Sequence, residues 1–215
     1  MNFEKHIDTI NNIMQDTGNK LAGLDAAIQT KREEIQNARR AANVTPAKLA
    51  VLTEERDEAE QKYREDTAAV IAAAKKAAQE ARSALEKEAE DFSAVHPEAV
   101  DSATVALLNA GIMTGKDLVR LANENGENAT MLRLFAKEAE KLMQDSPAAR
   151  GLVAQIRAFL DPAARLEVFD GALLNSHIGA GAALFNVAKG AWDEIAYPEF
   201  RREMQQLNRF AFSGE

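Results

Sequence analysis

The sequence predicts an all-α protein: a long N-terminal antiparallel coiled-coil hairpin followed by a bundle of short helices. Three observations lead there. The first is composition: of 215 residues, apolar types make up 46%, aromatics only 6%, and prolines number five. Such a chain, rich in Ala, Leu, Glu, Lys and Gln, favours helix over sheet. The second is a heptad pattern sustained over residues 3–38. The third is a series of cap residues and helix stops that cuts residues 97–215 into short segments, with no period-two alternation to suggest a strand.

The heptad pattern has two seams. One is Ile7, Met14, Leu21, Ile28 and Ile35; the other is Phe3, Ile10, Thr17, Leu24, Lys31 and Ala38. The spacing alternates four and three, and a 3.5-residue repeat faces one partner only if the helices supercoil. Gly18 and Gly23 weaken the helix locally, by about 1 kcal/mol each against alanine. Polar Thr17 and Lys31 on an otherwise apolar seam are the kind of residue that fixes register among partners, so self-association into a homo-oligomer is expected.

Thr45-Pro46 starts a second long helix, because threonine caps and proline suits the first turn. Its stripe is looser: Leu49, Leu52, Ala59, Tyr63, Val70, Ala73 and Ala77, then a phase shift through Ala81, Leu85 and Phe92. Two long helices joined by a short turn fold back antiparallel, giving an arm about 60 Å long at 1.5 Å per residue. Charged runs such as "EERDEAEQKYRED" form its solvated face. His96-Pro97 breaks the pattern, so residues 1–96 are expected to form the hairpin. Residues 97–215 are expected to form a helical bundle that ends in an amphipathic helix.

Within the second half each helix has its punctuation. Asp101 or Ser102 opens one that stops at Asn109-Ala110-Gly111, where glycine suits a left-handed ending. Thr114 opens the next, with Asp117 as its capping-box partner, and Gly126 closes it. Asn128 or Thr130, Ser146-Pro147 and Asp161-Pro162 open three more, and Tyr197-Pro198 begins the last.

Motifs for chemistry are few. "GIMTGKDL" places Gly115-Lys116 before a helix, as a phosphate-binding loop does. That loop needs four residues between its glycines, a hydroxyl after the lysine and a strand before it. Here three residues separate Gly111 from Gly115, Asp117 stands where the hydroxyl belongs, and "ATVALLNA" reads as helix. Helix stop, turn and helix start account for the segment. "GAGAAL" from Gly179 lacks the third glycine of a dinucleotide motif, and small-residue helix packing explains it. His6, His96 and His177 have no companions at metal-ligand spacing. His6 reads as a residue on the coiled-coil flank, and His177 as a buried or capping one. No G-x-S-x-G elbow is present. The chain is therefore read as no enzyme, with no catalytic or metal-ligating residue and no cofactor.

Net charge is −8, spread evenly: residues 1–96 hold 14 basic and 18 acidic side chains, and residues 97–215 hold 12 and 16. No basic half exists, which disfavours a nucleic-acid partner. Cysteine is absent, so disulfides and thiolate metal sites are excluded. The N-terminus lacks a basic region followed by an apolar run, so no signal peptide is expected. "GALLNSHIGAGAALFNVA", residues 171–188, is uncharged but polar and glycine-rich, and reads as a packed helix or turn rather than a membrane span.

The C-terminal segment supplies the candidate partner-binding surface. Phe200, Met204 and Leu207 share a helical face, Phe210 follows, and Arg201, Arg202 and Arg209 flank them. Aromatic and soft apolar anchors beside arginine are what interfaces favour, and the face is expected to be partly exposed. The other reading of the same face is packing on the chain's own bundle.

The stretch "VDSATVALLNAGIMTGKDLVRLANENGENATMLRLFAKEAEKL", through the order "LLN-GIMT", "L--LA" and "N-TMLRL", resembles a segment of small helical structural or scaffold-like proteins. These are encoded in the capsid gene modules of tailed bacteriophages and prophages of Gram-positive bacteria. The likeness spans about 45 residues, as a pattern of helix ends and core positions, and brings no catalytic residues with it. It implies a virion structural or capsid-assembly protein. The implied partner is the major capsid protein or another virion protein, and the implied location is the bacterial host cytoplasm during assembly, or the virion. A cytosolic coiled-coil adaptor unrelated to phage has the same parts and another partner. A helical enzyme or metal-carboxylate protein is the third reading.

Overall fold

The computed structural model describes residues 3–41, 43–175, 185 and 189–212. Every regular element among them is helical. In chain order these are α1 (Glu4–Arg40), α2 (Pro46–Ser93), a 3₁₀ turn (Pro97–Ala99), α3 (Ser102–Asn109), α4 (Gly115–Glu124), α5 (Ala129–Leu142), α6 (Pro147–Leu160), α7 (Pro162–Asn175), a π-helical turn (Trp192–Ala196) and α8 (Tyr197–Gln206). The all-α class and the long helix pair at the N-terminus are as the sequence predicts. No described helix is long and apolar enough to cross a membrane.

The expected boundary near residue 96 does not separate the compact units. One unit comprises residues 1–7, 82–171 and 199–215; the other comprises 8–81 and 172–198. The helix ends before Pro97, but Phe3, Leu85 and Phe92 are buried residues of the first unit, where Phe92 meets Phe3 at 6.0 Å and Phe159 at 5.9 Å. Apolar burial, and not the helix break, sets the division.

In the unit of residues 8–81 and 172–198, α1 and α2 run antiparallel. Arg32 donates to Glu60 at 2.7 and 2.9 Å as a two-pronged pair, the Tyr63 hydroxyl donates to Asp25, and Arg39 donates to Thr53 at 2.8 Å. As one residue number rises its partner's falls, which only an antiparallel register allows. Ile10, Met14, Leu21, Ile28 and Ile35 are buried on this seam. Leu24, Lys31 and Ala38 are only half-buried, a correction to the expectation that Leu24 is a full seam residue. A third segment packs on the turns of α1 that precede Leu24. Trp192 donates from its indole to Asn11 at 3.2 Å, Gln15 donates to Asp193 at 2.7 Å, and Lys189 and Phe185 lie against Gly18. These contacts cover the early turns of α1.

The polar seam residues are satisfied within the chain. The Thr17 hydroxyl donates to the Ile13 carbonyl at 2.6 Å, and Lys31 lies 3.5 Å from Glu34 and 3.9 Å from Glu55. On the part of α2 in this unit the buried residues are Leu52, Ala74, Ala78 and Ala81, so the phase shift arrives before Ala73, which is exposed. Leu49 is also exposed. The pairing register puts it opposite the connecting turn, beyond the last residue of α1.

In the unit of residues 1–7, 82–171 and 199–215, α4, α5 and α6 bury Leu118, Met131, Leu132, Phe135, Leu152 and Ile156. Their N-termini carry the expected caps. Thr114 and Asp117 form a capping box, Asn128 accepts from Met131 N–H at 3.0 Å, and Ser146 accepts from Ala149 N–H at 3.2 Å. Gly115 is buried against Ser146. "GIMTGKDL" is thus helix punctuation, with the Asp117 carboxylate accepting from the Thr114 N–H and hydroxyl.

Candidate interaction surface

The expected partner-binding face does not face solvent. Phe200, Met204 and Phe210 are buried, and Leu207 is half-buried. Phe200 meets Phe169 edge to face at 6.3 Å. Phe210 meets Phe159 in the same manner at 5.6 Å. An amphipathic helix shows which residues share a side, not which body covers that side, and here it is the chain's own core. Arg201 and Arg202 remain exposed.

The centre of that core is a residue the sequence reading passed over. Arg165 is fully buried and lies 4.9, 4.7 and 5.1 Å from the rings of Phe3, Phe92 and Phe159. It donates to the carbonyls of Phe159 and Leu207, each at 2.9 Å. Burial pushes its guanidinium down to about 10. The signal is in the spacing: Arg165, Phe169 and Ala172 recur at helical spacing and each is buried, so Arg165 belongs to the inner stripe of α7.

His6, expected on the coiled-coil flank, is buried, with Nε2 3.0 Å from Glu88. Burial pushes the Glu88 carboxyl up, but hydrogen bonds from Lys5 and His6 outweigh it and hold the group below its ordinary range. His177 and most of the 171–188 segment lie outside the described residues. An open cleft of about 640 Å³ is lined by Asp91, His96, Glu98, Glu124, Glu127 and Arg209, among others. No group of three or more His, Asp or Glu side chains among the described residues is placed to hold a metal ion.

The surface that stands apart is α3. Asp101 accepts from the backbone N–H groups of Ala103 and Thr104, and the Thr104 hydroxyl and these donors hold its carboxyl below the ordinary range. Gly111 takes φ +65° just past the other end, the left-handed position that glycine adopts without strain. Between these stops the helix "SATVALLN" has only Leu108 buried. Val100, Leu107 and Ile112 are 36%, 47% and 70% exposed, and Ala103, Ala106 and Ala110 are exposed beside them. From Ser102 to Gly115 there is no charged residue. Isolated exposed apolar residues are ordinary. A contiguous, charge-free apolar helix left in water is the mark of an interaction site. Ala103, Ala106, Leu107 and Ala110 fall at i, i+3, i+4 and i+7, one face of the helix.

No family model, no curated protein and no solved structure matches the chain.

Proposed function

We propose that the chain works by protein–protein association through α3, as a structural or scaffold-like protein in the assembly of a tailed-phage capsid. Its partner is the major capsid protein or another virion protein. The observation that carries the association is the exposed, uncharged face of α3. The setting is supported by sequence resemblance, since α3 falls within the stretch that looks like capsid-module proteins. Two large apolar side chains, Leu107 and Ile112, supply the anchors, and the exposed Ala103, Ala106 and Ala110 let a partner's backbone approach closely.

The test is co-expression with a candidate coat protein, followed by co-purification and electron microscopy. The double variant Leu107→Asp/Ile112→Asp should lose binding by roughly thirtyfold or more, the size of a hot-spot loss. Its stability should fall by no more than about 1 kcal/mol per site, because Leu107 is about half in water and Ile112 mostly so. Undiminished binding by the variant would refute the role of α3. No binding by the wild type would refute the capsid setting.

A further inference from the structure

The open cleft of about 640 Å³ lies at the foot of α3 and belongs to the same compact unit. Glu98 and Ala99 line it just before the helix starts, and Asn128, which also lines it, donates to the Ala99 carbonyl at 2.7 Å. Its charged lining is one-sided. Asp91, Glu98, Glu124 and Glu127 are all exposed. Elsewhere in this unit carboxylates meet cations closely: Arg157 lies 2.6 Å from Glu140, and Arg82 lies 2.8 Å from Asp170. In the cleft, Glu98 has only the His96 ring, at 3.3 Å, and Glu124 only Arg120, at 4.0 Å. The Asp91 and Glu127 carboxylates have no ion-pair partner among the described residues. The guanidinium that lines the cleft, Arg209, donates instead to the Asn123 carbonyl at 3.4 Å.

Two features therefore adjoin. The face of α3 offers apolar surface without charge, and the cleft beside it offers negative potential without a cation to neutralise it. Carboxylates that converge on one cavity repel each other, and walls of low dielectric focus their field, so an entering cation is favoured. The lining also includes Phe92 and Ala129, both buried, which suits the methylene stem of a lysine or arginine whose head stays at the rim. The shape of the occupant follows from α3. Its exposed alanines leave a low surface on which another helix packs at short range. Every regular element among the described residues is helical, so none offers a strand edge to an extended peptide. The same carboxylates repel phosphate, which disfavours a nucleic acid.

We propose that the partner's docking segment is an amphipathic helix with a basic end. Its apolar stripe covers Ala103, Ala106, Leu107 and Ala110, and its terminal lysine or arginine side chains enter the cleft of Asp91, Glu98, Glu124 and Glu127. This inference rests on the reading of α3 as a docking face and names the chemistry of what docks there. Apolar burial holds the complex, while the carboxylates select the partner's charge and its direction, because only one orientation brings the basic end to the cleft. Asp101 takes no part, since its carboxylate is held by the N–H groups of Ala103 and Thr104.

The test uses the full-length chain and two synthetic helical peptides that share one apolar stripe and differ only in ending with lysines or with glutamates. Fluorescence anisotropy should show the lysine peptide binding and the glutamate peptide not. Glu98→Gln/Glu127→Gln, folded by circular dichroism, should weaken the lysine peptide roughly fivefold, the size expected for two exposed ion pairs, and flatten its dependence on salt. Glu54→Gln/Glu58→Gln removes the same charge from the exposed face of α2 and should leave the affinity unchanged. Equal weakening by both pairs, or none by the cleft pair, would overturn the inference, as would a lysine peptide that does not bind. Equal binding of both peptides, lost in Leu107→Asp/Ile112→Asp, would overturn it while leaving α3 as a docking face. Lysine-peptide binding that survives Leu107→Asp/Ile112→Asp would overturn both this inference and the reading of α3 beneath it.

Discussion

Replacing Arg165 with methionine tests whether the buried cation holds its unit together or merely survives there. The perturbation keeps most of the stem volume and removes the charge and the donors. Burial holds the guanidinium at about 10, well below its ordinary value, which corresponds to about 3 kcal/mol against keeping the charge inside at neutral pH. Methionine relieves that cost. Against it stand the two hydrogen bonds to the Phe159 and Leu207 carbonyls, about 1.5–3 kcal/mol each for a charged donor. Three aromatic faces add about 0.5–2 kcal/mol each. The favourable terms come to about 4–12 kcal/mol against about 3 kcal/mol, so Arg165→Met should lose roughly 1–9 kcal/mol. Lysine should not rescue it, since one ammonium lacks the planar fork that reaches two carbonyls while stacking on rings. Urea unfolding by circular dichroism measures the loss. Hydrogen exchange at the amides of Phe3 and Phe210 locates it, because Phe3 packs on the Arg165 cation and Phe210 follows the carbonyl it binds. A methionine variant as stable as the wild type, or more so, would refute the reasoning and show that desolvation dominates.

Two further predictions follow from burial and from hydrogen-bond direction. Leu21→Asp should cost roughly 3–5 kcal/mol, as an unpaired charge on a fully buried seam position, while Leu24→Asp should cost about 1–2 kcal/mol, because aspartate at a half-buried position keeps water; equal losses in urea titrations would contradict the register. His96 sends Nε2 to the Asp91 carbonyl at 2.8 Å and Nδ1 toward Glu98 at 3.3 Å, and the bond to the Asp91 carbonyl, then the Glu98 carboxylate, raise its pKa. Its stabilisation should be complete below the ordinary imidazole range and fade as pH rises through the raised folded value. His96→Gln should abolish that dependence, and an NMR titration at or below an unfolded reference would refute it.

Local signals were legible in the sequence and global partners were not. Thr114 with Asp117, Asn128, Ser146 and Gly111 each act within a turn of helix, so the chain alone identifies them. The seam of Ile7, Met14, Leu21, Ile28 and Ile35 was legible for the same reason, since its period is intrinsic to one helix. What covers a face is another matter. Phe200, Met204 and Phe210 form a stripe whether a partner or the chain's own core buries it. The answer lay in Phe169 and Phe159, which are distant in sequence. Gly18 and Gly126 show the same limit: one sits where a third segment crosses α1, the other where two backbones touch. Arg165 was overlooked because a charged residue on an inner stripe opposes the binary pattern, although its spacing from Phe169 and Ala172 places it there.

The persistence of α3 has a physical explanation that bears on its use. A helix of eight residues does not hold its shape alone in water. Here Asp101 and Gly111 satisfy its ends, Leu108 anchors it, and the Asn128 side chain donates to the Ala99 carbonyl at 2.7 Å just before it. The helix is therefore formed without spending its outer face. Covering that face contributes about 1.5–3 kcal/mol for each large apolar side chain fully removed from water. On the charged helix faces of a chain that is 28% charged, apposition desolvates ionised groups, a cost that burial of apolar atoms has first to overcome. Between Ser102 and Gly115 there is no such group, so association through α3 begins with burial and no ionic penalty.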